Sequence, residues 1–198
     1  MTGSSEPVPL ANPDPELGDG VVHLRAWQLS DLTCIRRASQ DARIPEATTV
    51  PAPYTEQDGR AFIRRQWQRT ERGQGWSLAV VDLVSGTAIG NVVLLRRPQA
   101  GVAGIGSWIV PGARGRGAAS RAVGLLATWG LDRAGFARIE AWVEPDNLGS
   151  IRVMERCGFV AEGRLRSFLA FPDRRADALV YSRVRGPSAA GAAVPSMP

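Results

Sequence analysis

The sequence predicts an α/β (α+β) domain with a central, mostly antiparallel mixed sheet of about seven strands flanked by about four helices. Three observations carry this. Apolar runs of strand length alternate with segments whose apolar residues recur every three or four positions. Their order is strand, two helices, three strands, helix, strand, helix, two strands. A small-residue loop, Pro111 to Ser120, joins the apolar run Ile105–Val110 to a helical pattern at Ala119, Ala122, Val123, Leu126 and Gly130, which places one parallel step among hairpins. No strand–helix–strand unit repeats, and the loop glycines Gly112, Gly115 and Gly117 do not have the G-x-G-x-x-G spacing of a dinucleotide fold.

In chain order, residues 1–20 are rich in Pro, Gly, Ser and acidic residues without periodicity, and read as a flexible tail. Residues 21–185 form one domain. Val21–Ala26 is the first strand. Ser30-Asp31 offers an N-cap, with Leu32, Ile35 and Ala38 at helical spacing behind it. Asp41–Pro53, with three prolines, is an irregular loop containing a short turn near Pro45 and Glu46. Thr55-Glu56-Gln57-Asp58 resembles a capping box and opens a helix whose inner face is Phe62, Ile63, Gln66 and Trp67. Trp76–Leu83 and Ala88–Arg97 make a hairpin around Ser85-Gly86, and Val102–Val110 follows. A long helix runs from about Gly117 to Arg133. Ile139, Ala141 and Val143 alternate with polar or amphipathic partners as a strand. A short helix ends at Gly158, and Phe159–Ala170 pairs with Ala176–Val184. Residues 186–198 read as a second tail.

Composition excludes several chemistries. The net charge is +5, all 24 basic residues are arginine, and there is no lysine, so neither a Walker phosphate loop nor a Schiff-base enzyme can be built. The arginines are interspersed with acids and form no basic stripe, so nucleic acid is not an expected partner. Two cysteines, Cys34 and Cys157, and one histidine, His23, are too few for a Cys/His zinc site, and no metal is expected. Cys34 and Cys157 read as buried small hydrophobes, and His23 as a solvated strand residue beside Arg25. No apolar run is long enough to span a membrane and no signal pattern opens the chain, so a cytoplasmic protein is expected.

Taken alone, the loop fits two descriptions. It is a surface turn of small residues, or an anion pocket in which glycines admit a ligand and a helix start supplies free N–H groups. The wider pattern adds to this. The loop reads Arg-x-x-Gly-x-Ala across Arg114, Gly117 and Ala119, and about thirty residues on stands Asn147-Leu148-Gly149-Ser150-Ile151-Arg152-Val153-Met154-Glu155-Arg156-Cys157-Gly158-Phe159. In this order the two motifs resemble the GNAT superfamily of acyl-CoA-dependent N-acetyltransferases, and within it the branch that acetylates ribosomal-protein N-termini. The resemblance spans roughly Val21 to Arg185.

The resemblance implies acetyl-CoA as cosubstrate and CoA as product. Backbone N–H groups of Arg114, Gly115, Arg116, Gly117, Ala118 and Ala119 would hold the pyrophosphate, with Arg114 and Arg116 adding charge-assisted bonds. The strand at Trp108, Ile109 and Val110 would pair with the pantetheine amides, one N–H at or beside Ile109 facing the thioester oxygen. Asn147 and Ser150 share a helix face with Ile151 and Met154 and would bond the pantetheine arm near its sulfur, although Asn147 also fits a helix cap. The implied reaction is direct attack of a neutral amine, which needs a base and an acid. Relatives place a tyrosine four residues before the Gly-Phe glycine. Here Met154 stands there and donates no proton. Ser150 is the first substitute as acid and Tyr181 a weaker one. Glu140 is the favoured base, a surface carboxylate being its other reading, and Glu46 could help hold a cationic acceptor. The expected function is acetyl transfer to a primary amine, either a protein N-terminus or a small amine such as an amino sugar. The absent tyrosine keeps open a weak or inactive acyl-CoA-binding regulatory module of the same fold. A nucleic-acid binder is a third reading, and a homodimer is left open as the assembly.

Overall fold

The computed structural model describes residues 9–186. The elements are β1 (Leu17–Gly18), β2 (Val22–Ala26), α1 (Leu32–Ser39), α2 (Arg43–Ala47), α3 (Glu56–Glu71), β3 (Gly75–Asp82), β4 (Ala88–Arg96), β5 (Val102–Ile109), α4 (Ala118–Asp132), β6 (Arg138–Val143), α5 (Leu148–Arg156), β7 (Val160–Ala170) and β8 (Arg175–Val184). They form one eight-stranded mixed sheet, in the order β1-β2-β3-β4-β5-β6-β8-β7, within an α/β fold.

Two small elements extend the expected count. The first is β1. The Asp19 carboxylate accepts hydrogen bonds from the N–H groups of Val21 and Val22, making a tight turn that pairs Leu17 with Leu24 and Gly18 with His23. Upstream of it, Leu10 N–H donates to the Thr70 carbonyl and Trp76 Nε1 donates to the Ala11 carbonyl. The expectation of a tail through Gly20 is therefore corrected for residues 9–20, which backbone hydrogen bonds tie to the domain. Residues 1–8 and 187–198, the rest of the two expected tails, lie outside the described residues. The second element is α2, in the proline-rich loop. Its first turn is held by Asp41 Oδ1, which accepts from the N–H groups of Arg43 and Ile44.

The helices cover both faces of the sheet. Trp108 pairs across strands with Asn91 and Trp76 with Leu94, and positions 91 and 94 on β4 point to opposite faces. On the first face Trp108 packs with Trp27 and with Phe62 of α3. On the second, Trp76 meets Trp129 of α4 edge-on at 4.7 Å. The capping expected at Thr55 is present: its hydroxyl accepts from the Asp58 N–H, and Phe62, Ile63 and Gln66 are buried behind it. At the α1 entrance, Asp31 is the N-cap by position, but its carboxylate makes no capping bond to the helix and accepts from the Gln28 N–H instead. It takes a bidentate pair from Arg25 at 2.7 and 2.8 Å in a nearly closed pocket. Cys34 is buried as expected, and burial pushes its thiol up to about 12.

The one parallel step is short. β5 and β6 pair only at Val102–Arg138, Ala103–Ile139 and Gly104–Glu140. β5 continues to Ile109 beside β4, while β6 continues to Val143 beside β8. Beyond Gly104 the two strands diverge, and the sheet opens into a wedge.

Candidate active site

A cavity of about 290 Å³ fills this wedge. Ile105, Gly106 and Ser107 of β5 form one wall, and Ala141, Trp142 and Val143 of β6 the other. Antiparallel pairing uses alternate backbone groups. Val110 N–H donates to the Ile89 carbonyl, so the even-numbered positions of β5 are committed to β4. The odd ones, Ile105, Ser107 and Ile109, turn their backbone groups toward the gap. A strand edge of this kind can pair with an extended amide-bearing ligand.

Of the three strand residues named from the resemblance, only Ile109 presents backbone to this edge. The Trp108 side chain is buried on the opposite side against Trp27 and Phe62, and the Val110 N–H is already bonded. The cavity wall itself begins lower, at Ile105–Ser107, because the divergence starts immediately after Gly104.

The loop after β5 has the geometry of an anion site. Pro111–Ala113 is a single 3-10 turn, and Gly117 precedes α4 with φ +80 and ψ 2. Gly115 has φ +79. Both lie in the left-handed region that favours glycine, and a Cβ at either would meet nothing within 4 Å. Arg121 N–H donates to the Gly117 carbonyl, so the N–H groups of Ala118, Ala119 and Ser120 ahead of it have no partner within the helix. They point from the positive end of the α4 dipole.

The two loop arginines differ. Arg114 is exposed but engaged within the protein. Its Nε donates to the Ile109 carbonyl at 2.8 Å and its Nη1 pairs with Asp41 Oδ2 at 2.9 Å. These bonds brace the loop against Asp41, ahead of α2, and engage the Arg114 Nε and Nη1. Burial would raise the Asp41 carboxyl, but Arg114 and two backbone N–H groups outweigh that and hold it below its ordinary value. Arg116 is exposed and makes no ion pair among the described residues, so it is the loop side chain with a free charge.

Helix α5 supplies the far wall through Asn147, Ser150, Val153 and Met154. Asn147 is the N-cap, its Oδ1 accepting from the Ser150 N–H at 3.2 Å. Its cap role is thus present, and it lines the cavity as well. Val153 lines the cavity and Ile151 does not, while both pack against the core. Met154 is buried at the cavity edge, where relatives are expected to carry the tyrosine.

The structure does not bring the other two expected catalytic residues to Ser150. Tyr181 pairs with Ala141 from β8 and is buried in the core, off the cavity lining. Glu140 pairs in register with Gly104, shares a face with Trp142, and accepts from Arg138 Nε at 2.8 Å. It lines a second depression rather than the wedge cavity. The carboxylates that do line the wedge are Glu46, which the sequence singled out, and Glu144, which it did not. Both are held by Arg174 of the β7–β8 turn, at 2.7 Å to Glu46 and 2.6 Å to Glu144. Bonds to Glu144 and then Glu46 push Arg174 above the ordinary guanidinium range. No local spacing links positions 46, 144 and 174. Trp142 was also missed, and its alternation with Ala141 and Val143 was the available signal.

Comparison with known proteins agrees with this fold. Residues 22–160 match the family model described as Acetyltransferase (GNAT) domain. The chain is 32% identical over 115 residues to the probable N-acetyltransferase YjcK of Bacillus subtilis (strain 168), a match covering 57% of this chain and 64% of that protein. It is 28% identical over 167 residues to the uncharacterized N-acetyltransferase p20 of Bacillus licheniformis, covering 82% of this chain and 92% of that one. Among solved structures, a GNAT-family acetyltransferase from Bacillus anthracis superposes with TM-score 0.75 at 20% identity, covering 86% of this chain and 98% of its own. The microcin C7 self-immunity acetyltransferase MccE, solved with acetyl-CoA and AMP, gives 0.74 at 20% identity over 84% and 93% of the two chains. RimJ of Mycobacterium smegmatis, solved with CoA-disulfide, gives 0.72 at 20% identity over 82% and 81%. The family match covers more than half of the sequence, and β5, β6 and the loop between β5 and α4 lie inside it: this chain belongs to the GNAT acetyltransferase family.

Proposed function

We propose that this protein is an acetyl-CoA-dependent N-acetyltransferase that moves the acetyl group directly to a primary amine, of a protein N-terminus or a small molecule, in the cytoplasm. One observation carries the reading. The β5 backbone edge beyond Gly104 opens onto a cavity whose other wall holds Ser150, and the same strand ends at the free N–H groups of α4. A pyrophosphate, a pair of amides and a thioester in sequence fit that series. The same fold in MccE was solved with acetyl-CoA.

Acetyl-CoA supplies an activated acyl group. The residues of this chain do the rest. Ala118, Ala119 and Ser120 donate N–H groups to the pyrophosphate, with Arg116 adding charge. Ile105, Ser107 and Ile109 present the edge that orients the pantetheine arm. Ser150 is the hydroxyl beside the reacting centre and relays a proton to the departing thiolate while taking one from the newly acylated nitrogen, so it ends neutral. The acceptor ammonium loses its proton to water, with Glu46 and Glu144 the carboxylates on the cavity wall.

A second reading, an acyl-CoA-binding regulatory module, is favoured by Met154 at the tyrosine position and by a buried Tyr181 that does not line the cavity. A thiol-release assay with acetyl-CoA against a panel of N-terminal peptides and small amines separates the two. Turnover on a primary amine supports the enzyme. Tight acetyl-CoA binding without turnover on any acceptor selects the module.

A further inference from the structure

A second depression of about 630 Å³ lies beside the wedge, on the face of the sheet that carries Glu140. Trp142 lines both cavities, so the two share that residue as a wall. The depression contains a guanidinium held in place by three features. The Arg97 guanidinium stacks on the Trp142 ring, 3.6 Å from its centroid. Phe168 braces that ring edge-on at 4.7 Å. The other side of the guanidinium lies on the β5 backbone at Gly104, where a Cβ would sit 2.5 Å from Nη2. Only a residue without a side chain leaves that space.

The charge pattern is uneven. Arg138, the other cation here, is fully engaged with Glu140 and Glu162. Arg97 makes no ion pair among the described residues, and its Nε is buried without a hydrogen-bond partner. Burial lowers its pKa, and the Glu140 carboxylate nearby, already bonded to Arg138, offsets that only in part. A stacked guanidinium is a planar fork that fits a carboxylate. We propose that the Arg97–Trp142–Phe168 pocket is an acceptor subsite that binds a carboxylate of the amine substrate, so that preferred acceptors carry a negative charge close to the reacting amine. The proposal rests on the N-acetyltransferase reading and names the acceptor class that reading leaves open. Such a carboxylate comes from an acidic residue near a peptide N-terminus or from a small amino acid.

Matched acceptors test it on the full chain. Ser-Glu-Glu-Ala amide is compared with Ser-Gln-Gln-Ala amide, and 4-aminobutyrate with its amide, by CoA release and by calorimetric binding in the presence of CoA. Wild type should prefer the carboxylate member of at least one pair by about tenfold or more in kcat/KM, chiefly through KM. The pair that shows the preference identifies the source. Arg97→Met should bring that ratio toward one while acetyl-CoA affinity is retained. Gly104→Ala, which pushes the guanidinium off its seat without altering its charge, should lower the ratio too. Equal use of both members by wild type, or an undiminished ratio in Arg97→Met, overturns the proposal. If no amine is acetylated, the enzyme reading fails while the calorimetric comparison still decides the subsite.

Discussion

Replacing Gly117 with glutamate puts a side chain and a negative charge at the entrance of α4. The backbone there has φ +80. An L-residue in that conformation costs about 1–2 kcal/mol. Against a typical total of about 5–15 kcal/mol the domain still folds. At about 2–4 °C per kcal/mol for a chain of this size, Tm should fall by about 2–8 °C. No heavy atom lies within 4 Å of the new Cβ, so no steric clash adds to this. The effect on ligand is larger. A carboxylate about 6 Å from a pyrophosphate bearing two charges opposes it by about 5 kcal/mol at an effective dielectric near 20. Screening at this partly exposed loop reduces that to about 3 kcal/mol, or roughly a hundredfold in Kd. Gly117→Ala separates the two contributions. It carries the same backbone strain, but that strain is present with and without ligand and largely cancels from binding. Calorimetric titration of acetyl-CoA into the three proteins, with thermal melts of each, should show matched losses of Tm for both variants. Only the glutamate should lose affinity by about a hundredfold. A folded Gly117→Glu variant with wild-type affinity would refute the assignment of this loop to the pyrophosphate.

Ser150→Ala should lower kcat by at least about tenfold while changing acetyl-CoA affinity little, because the backbone N–H that Asn147 caps is untouched; steady-state kinetics and calorimetry read the two effects. Asp31→Ala leaves Arg25 buried and unpaired, and should cost about 3–5 kcal/mol in chemical denaturation. The Glu162 carboxyl is held down to about 2, from an ordinary 4.5, first by Arg138 and then by the Ser182 hydroxyl. A depressed folded-state value stabilises above pH 4.5 and loses that contribution as pH falls toward 2. Glu162→Gln should therefore melt below wild type at neutral pH, and the gap should close between pH 4.5 and 2 in thermal scans.

The fold was legible because its main signals are local. The apolar alternation at Ile139, Ala141 and Val143, the cap at Thr55 and the glycine at Gly117 each report their own few residues, and the structure places an element boundary or a sheet face at each. The motif residues Asn147 and Ser150 were legible for the same reason, since helical spacing put them on one wall. What escaped depends on pairing across the chain. Glu140 looked suited to be a base by its strand position, but which side of the wedge it faces is set by its register with Gly104. The loop alone presents Arg114 as a phosphate ligand and does not show its pairing with Asp41, far away in sequence. The Glu46–Arg174–Glu144 bridge and the Arg97–Trp142 stack join residues from segments that meet only after the sheet has formed. Residues 9–20 have a tail-like composition, but backbone hydrogen bonds and the Asp19 turn need no apolar pattern.

Hydrogen exchange of the full chain with and without saturating acetyl-CoA tests the central claim most directly, because the claim concerns backbone groups. The account predicts new protection confined to the amides of Ile105, Ser107 and Ile109 on the open β5 edge, the loop from Gly115 to Ser120, and the start of α5 around Ser150. Protection that leaves the Gly115–Ser120 amides unchanged while acetyl-CoA binds elsewhere, or no binding at all, would contradict it.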